Sequence, residues 1–490
     1  MRGRYSLHDL LVQNDSSDEQ QAAAEPEPST SEDPISLGFV NLAIARSLFD
    51  SFILVLNPFV SQLDPALHDF AYVRQRSPFL LTAILAASAK AFHPVLYPRL
   101  YQHAQDLLIV VFRHGHKSIE VVQAILLQTY WKEPHDNRVW TLVGYAIRIC
   151  TEMGWHRLEP GRSSGHGMTE RRRREMRNIE RTWLVLFVYD RSISLQTGKP
   201  CMIESDPLIE SITSWIKHPL AIENDRLLAA LVTLRLETST AFGLMVPRSN
   251  AASGRLPTGL GSLFAILSRQ IDAWEATWGH PTEPPQIPAE EEGCHDFLIA
   301  FYGCHIRLQI SSLQLQDHLS PSSATTPDVE SLWAAYSSAL RMLRLIPRHS
   351  SHVSFAQDSV HVMLAYCAAF LVKLLHLAPR SFGEELESDI LLAIQEASTT
   401  FGRLDTGASS SCALQARFLG RIATRLQSAA SHRGDEAAHA GAADADISED
   451  YMLQNAFLDA NMGFPFIGGD NWDQIFADTG YSIEAATMIQ

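Results

Sequence analysis

The residues able to do chemistry in this chain of 490 are few and scattered. Six cysteines stand at 150, 201, 294, 304, 367 and 412, and no two form a Cys-x-x-Cys pair. That spread fits free thiols in a reducing compartment rather than a disulfide framework. Cys294-His295 and Cys304-His305 repeat ten residues apart. On one helix that spacing is a rise of roughly 15 Å, too far for a single tetrahedral zinc, so core or surface thiols are expected. His103, His114 and His116 have no Cys, Asp or Glu constellation to complete a ligand set. There is no Gly-x-Ser-x-Gly elbow, no phosphate loop and no His-Glu-x-x-His. A helical synthase that holds magnesium diphosphate needs an Asp-rich helical motif. Asp190 is followed by Arg191 and has no acidic neighbour within four residues. No catalytic, cofactor or metal site is expected, and the chain reads as no enzyme.

The stretch from Glu170 to Asp206 organises the chain. Arg171, Arg172, Arg173 and Arg174, with Arg177 and Arg181, form the densest basic run. It reads as a nuclear import signal, a phosphate contact, or a solvated helix start. Met176, Ile179, Trp183, Leu186, Phe187, Asp190 and Ile193 recur at helical spacing, which sets the Asp190 carboxylate among large apolar residues. A buried charge is costly unless paired, so Asp190 needs a cation or several donors. Neither Arg181 nor Arg191 lies squarely on its face, and a partner from another helix is equally open. Thr169 is a suitable N-cap. Gly198-Lys199-Pro200 marks the turn that ends the helix.

The elements that position this stretch are helical throughout. Apolar periodicity predicts helices over 38–56, 77–92, 95–114, 118–132, 137–153, 169–196, 221–246, 258–279, 291–318, 328–346, 354–377, 384–402 and 411–431. Breaks fall at Asn57-Pro58, His93-Pro94, Glu133-Pro134, Pro160-Gly161 and Pro281 to Pro288. No segment alternates as a sheet strand does, so the fold class is all-α.

Net charge is −16, carried by the ends. Residues 1–36 hold two basic and eight acidic residues, and residues 434–490 hold eleven acidic and no Lys or Arg, which leaves +1 for the middle. The acidity therefore describes tails, and the middle gives no bulk reason to bind nucleic acid. Three regions follow: an acidic disordered segment over 1–36, a helical domain over 37–430, and an acidic-aromatic tail over 431–490 that opens with a linker from Ser431 to Asp446. Leu7, Leu10 and Leu11 have the spacing of a groove-docking helix, or of a fragment of a longer one. No leader sequence is expected after Met1. The longest apolar runs, 79–92 and 359–372, fall short of the ~20 residues a span needs, so no membrane is expected.

The tail interleaves acids with Phe464, Phe466, Trp472, Ile475 and Phe476, the last three on one helical face. Acids that keep aromatics solvated until a groove accepts them are the composition of an activation segment. A C-terminal helix docked on the chain's own core is the other reading.

Arg181, Trp183, Asp190, Arg191, Gly198, Pro200 and Asp206 stand in an order that resembles the fungal-specific transcription-factor domain, the middle region of binuclear zinc-cluster regulators. Lys199 replaces the usual Arg, and Leu184 a frequent second Trp. Further blocks resemble the family in its own order: Ser77 to Ala86; Val122 to Leu127 with Trp140, Gly144, Ala146 and Arg148; and Met153 to Arg157. Together they cover roughly residues 37–210. The resemblance implies a nuclear transcription regulator, with the tail as activator, controlling a metabolic or secondary-metabolite gene set. The family's six-cysteine zinc cluster is absent from these 490 residues. Zinc and direct DNA contact are therefore expected only through a missing N-terminal cluster, and DNA otherwise only indirectly. A truncated gene model, a natural form acting through partners, and a different DNA-binding segment would each account for this. Expected partners are a coactivator or other transcription factors, with a second copy of the chain and a small-molecule effector as further candidates. The alternative is a ligand-sensing or corepressor-like interaction protein that does not bind DNA.

Overall fold

Caps written in the sequence set many of the helix starts. Asn41 accepts from the Ile44 amide, Asp69 from Tyr72, Ser77 from Leu80, Ser118 from Val121 and Ser410 from Ala413, each filling one of the donors a helix start leaves over. The computed structural model describes residues 33–133, 136–161, 167–197, 199–245, 261–279, 293–315, 329–377, 380–404 and 410–439. Among these residues the elements are helices. In chain order they are α1 (Leu42–Ser51), α2 (Phe70–Arg76), α3 (Pro78–Phe92), α4 (Tyr97–His114), α5 (Ile119–Tyr130), α6 (Val139–Glu152) and α7 (Glu170–Thr197). Then come α8 (Asp225–Met245), α9 (Gly261–Trp278), α10 (Cys294–Leu315), α11 (Val329–Arg348), α12 (Asp358–Leu377), α13 (Arg380–Arg403) and α14 (Ser411–His439).

Neighbours in sequence pack as neighbours in space. α3 lies against α1, α4 and α5; α7 packs on α5, α6 and α8; α8 packs on α9 and α10; α11 to α14 pack among themselves, with α10 against α11. One hydrophobic core runs through all of them. Three side chains tie the early helices to the late ones. His295 Nε2 meets the Pro58 carbonyl at 3.1 Å, Gln357 donates to the Phe59 carbonyl at 2.9 Å, and the Trp131 indole donates to the Phe355 carbonyl at 3.1 Å.

Several expectations are corrected. The expected helix over 38–56 is α1 followed by a π-helical turn, Phe52–Leu56, and the break at Asn57-Pro58 is a further helical turn, Asn57–Val60. Proline is tolerated there because first-turn N–H groups have no intrahelical partner. Asn57 then brackets Leu63, donating to its carbonyl at 2.8 Å and accepting from its amide at 2.9 Å. α2 and the four-residue helices Pro207–Glu210, Ile212–Trp215 and Ser350–Val353 are too short to show a periodicity. α14 runs on to His439, past the expected linker start at Ser431. Finally, Leu42–Val60 and Asp358–Leu375 are each long and apolar enough to cross a membrane, although no such run was expected. In the second, 72% of the stretch is buried inside the protein, so it serves as a core helix.

Candidate functional site

Thr169 caps α7 as expected, accepting from the Arg172 amide at 3.3 Å. The first turns are basic but compensated. Arg171 and Arg172 are exposed and pair with Glu175, while Arg174 bonds Glu170 at 2.9 Å and the buried Asp64 at 3.0 Å. The run does not stay solvated: Arg177 and Arg181 are fully buried. From Trp183 to Phe187 five successive side chains are buried, so the middle of α7 is covered on all sides and not on one face only.

The buried arginines meet Asp225 at the first position of α8. Arg181 donates from Nε at 2.7 Å and from Nη2 at 3.1 Å, and Arg177 donates from Nη2 at 3.1 Å. Burial alone would raise the Asp225 carboxyl, but Arg181, with Arg177, outweighs it and holds the group below the usual carboxylate range. Burial works against the Arg177 charge and leaves that guanidinium below its ordinary value. The Trp215 ring lies 4.0 Å from Arg177, and its indole donates to Glu180 at 2.8 Å. Glu180 supplies the second negative charge beside the two guanidiniums.

Further along α7, Trp183 donates to Asp206 at 2.6 Å, while the other Asp206 oxygen caps Pro207–Glu210 through the Ile209 amide. Asp190 accepts from the Met202 amide at 2.7 Å and the Ile203 amide at 2.9 Å. Its required donors are thus backbone groups, not a cation or another helix. Burial raises its carboxyl, against the pull of those two amides and of Arg191. Arg191 donates to the Ile203 carbonyl at 3.0 Å and to Cys201 Sγ, and lies over Phe187. Lys199 sits 4.8 Å from the Trp140 ring, a cation–π contact that an arginine would also make. A Cβ on Gly144 would meet Met202 Cε at 3.0 Å, so the bare backbone of α6 accommodates that side chain. Pro200 is exposed. Gly198 lies outside the described residues, as do Phe464, Phe466, Trp472, Ile475 and Phe476 of the tail and Leu7, Leu10 and Leu11.

These contacts have an order. Read from its C-terminal end toward its N-terminal end, α7 meets 201–203 through Asp190 and Arg191, 206 through Trp183, 215 through Glu180 and Arg177, and 225 through Arg177 and Arg181. The following segment is laid antiparallel along one helix. Sequence reasoning missed Asp225 and Trp215. No local pattern marks either, and both lie more than thirty residues from their partners.

A third buried arginine, Arg235 on α8, has a different setting. Its Nη2 donates to Ser192 on α7 at 2.9 Å, and its Nε and Nη1 have no hydrogen-bond partner. Burial lowers it to about 10, with Arg191 adding to the effect and Tyr302 opposing it. His305 on α10 is buried and neutral, lowered to about 3 by burial and by the Arg235 charge, and its Nδ1 also lacks a partner.

Among the described residues no three His, Cys, Asp or Glu side chains gather to hold a metal. Cys150, Cys304 and Cys367 are buried thiols whose pKa burial pushes up, which makes them inert at neutral pH. The arrangement positions a chain segment along α7.

The chain matches the family model described as fungal specific transcription factor domain over residues 47–210. It is 33% identical over 357 residues to protein priB of Lentinula edodes, covering 71% of this chain and 58% of that one. It is 24% identical over 362 residues to the transcriptional activator of proteases prtT of Emericella nidulans, covering 70% and 52%. With cutinase transcription factor 1 beta of Fusarium vanettenii it shares 26% identity over 202 residues, covering 36% and 22%. The chain thus spans little more than half the length of the first two relatives. No solved structure matches it.

Proposed function

Because residues 47–210 are a fungal specific transcription factor domain, we propose that the chain is a nuclear transcription regulator of the zinc-cluster family. In this reading it controls a metabolic or secondary-metabolite gene set, and its acidic-aromatic tail recruits a coactivator. DNA contact is indirect or runs through a zinc cluster outside residues 1–490. The observation that carries the reading is the family match. The names of two relatives, an activator of proteases and a cutinase transcription factor, favour a gene set encoding hydrolases. Import through Arg171–Arg174 falls to Arg171, Arg172 and Arg173, since Arg174 is held by Asp64.

The test is a reporter assay. Residues 447–490 fused to a heterologous DNA-binding domain are expected to activate transcription. Each aromatic buried in a coactivator groove contributes roughly 1.5–3 kcal/mol before ordering costs. Trp472→Ala combined with Phe476→Ala should therefore remove most of the activity. A silent tail beside an active middle domain, or full activity in the double variant, overturns the assignment.

A further inference from the structure

Three arginines rank among the largest fully buried side chains, and the fold treats them differently. Arg177 and Arg181 share the Asp225 carboxylate, and Glu180 stands beside them. Arg235 has no carboxylate partner among the described residues. Among the described residues its hydrogen bond runs to a neutral hydroxyl, that of Ser192, and three N–H donors on Nε and Nη1 are unfilled. A guanidinium stays charged at neutral pH even when depressed as far as this one. An uncompensated buried charge is among the costliest features a fold can carry. The surroundings sharpen the deficit. Arg191 adds a second positive charge to the field at Arg235, and the neutral His305 offers an unfilled Nδ1 within electrostatic reach. α7, α8 and α10 supply Ser192, Arg235 and His305, and α8 packs on both of the others. A space between helices of a bundle is a common place for a ligand.

We propose that Arg235, together with Ser192, forms an interior site for a small oxyanion, the carboxylate or phosphate group of a small molecule, held between α7 and α8. The planar fork of arginine matches either group with parallel N–H···O bonds. The bound anion would supply the counter-charge that the chain itself provides for Arg177 and Arg181. The inference stands apart from the transcriptional reading, because it is tested by affinity and not by reporter output.

The experiment is isothermal titration of the purified full chain, in chloride-free buffer, with inorganic phosphate and separately with hexanoate. Saturable one-to-one binding of at least one probe is expected, and the probe that binds tells phosphate from carboxylate. Arg235→Met should weaken that binding by about ten- to a hundred-fold, the loss of a charge-assisted contact. Arg344→Met, which alters an exposed ion pair with Asp389, should leave it unchanged. If Arg235→Met does not fold, Arg235→Lys keeps the charge but loses the fork, and it must also weaken the binding. No saturable heat from either probe means that water alone fills the site, and the proposal is overturned. Wild-type affinity in a folded Arg235 variant overturns it as well.

Discussion

Replacing Asp225 by asparagine removes the one carboxylate to which both Arg177 and Arg181 are bonded. The perturbation is nearly isosteric, so packing is not the variable. Asparagine keeps one acceptor, but its amide N–H₂ would face a guanidinium donor. All three contacts lie between 2.7 and 3.1 Å, and the three side chains are at most 1% exposed. Water therefore cannot replace the lost charge. Breaking a buried pair from one side costs about 3–5 kcal/mol. Arg181→Met alone should cost less, about 1.5–3 kcal/mol, because Asp225 keeps Arg177. The double variant should be less damaging than the sum of the two by about 0.5–3 kcal/mol, the coupling expected of groups in contact. Urea denaturation followed by tryptophan fluorescence reads all four proteins, since Trp183 and Trp215 lie in the region released. Repeating it in ~1 M salt separates this pair from surface pairs, because a buried pair is screened little. Strict additivity, or an Asp225→Asn midpoint equal to wild type, would refute the reasoning.

Two other perturbations follow from the same region and its neighbours. Asp190→Ala leaves the Met202 and Ile203 amides without their acceptor, a loss of about 1–3 kcal/mol; hydrogen exchange should quicken at those two amides, and unchanged exchange would contradict their pairing. His68 and His305 are buried neutral with pKa values near 4 and 3. Both lie below the unfolded value of about 6.5, so their contribution is complete above that pH and is lost as pH falls toward the folded values, at roughly 1.4 kcal/mol per unit for each. His305→Leu should flatten the slope of the urea midpoint between about pH 6.5 and pH 4, and an identical slope would assign the acid loss to other groups.

The parts of the site that were legible in sequence are those set by local spacing. The apolar period and Thr169 locate α7, and the cost of a buried carboxylate shows that Asp190 must have donors. The identity of those donors was not legible, because backbone amides carry no side-chain signal. Arg177 and Arg181 read as part of a basic run that serves import, contacts phosphate or opens a solvated helix, all of them exposed roles, since charge in a sequence normally means exposure. Their burial depends on Asp225, 44 and 48 residues away in contact and invisible to any local window. The composition from Ser431 to Asp446 reads as a linker, yet α14 continues through Gly434 to His439. A single glycine costs a helix only about 1 kcal/mol, and Ala429, Ala430, Ala437 and Ala438 favour continuation.

The contact order along α7 says what the signature residues do physically in this chain. Between Thr197 and Asp225 the described helices are only four residues long, Pro207–Glu210 and Ile212–Trp215. Helices that short cannot sustain themselves, because nucleation costs more than so few hydrogen bonds return. Their position is set instead by side chains projecting from α7 at successive turns: Asp190 and Arg191, Trp183, Glu180 and Arg181, then Arg177. Each holds a different point of the segment, together with the buried Leu208, Ile209 and Ile212. The last point held, Asp225, begins α8, and α8 carries Arg235 back to Ser192 on α7. The segment therefore closes a loop between two places on one helix. An anion drawn to Arg235 would tighten the α7–α8 contact at the end of that loop opposite the Asp225 pair. Variants of the pattern residues and variants of Arg235 should consequently differ in kind. The former loosen the fold whether or not anion is present, whereas Arg235→Met should remove the response to it.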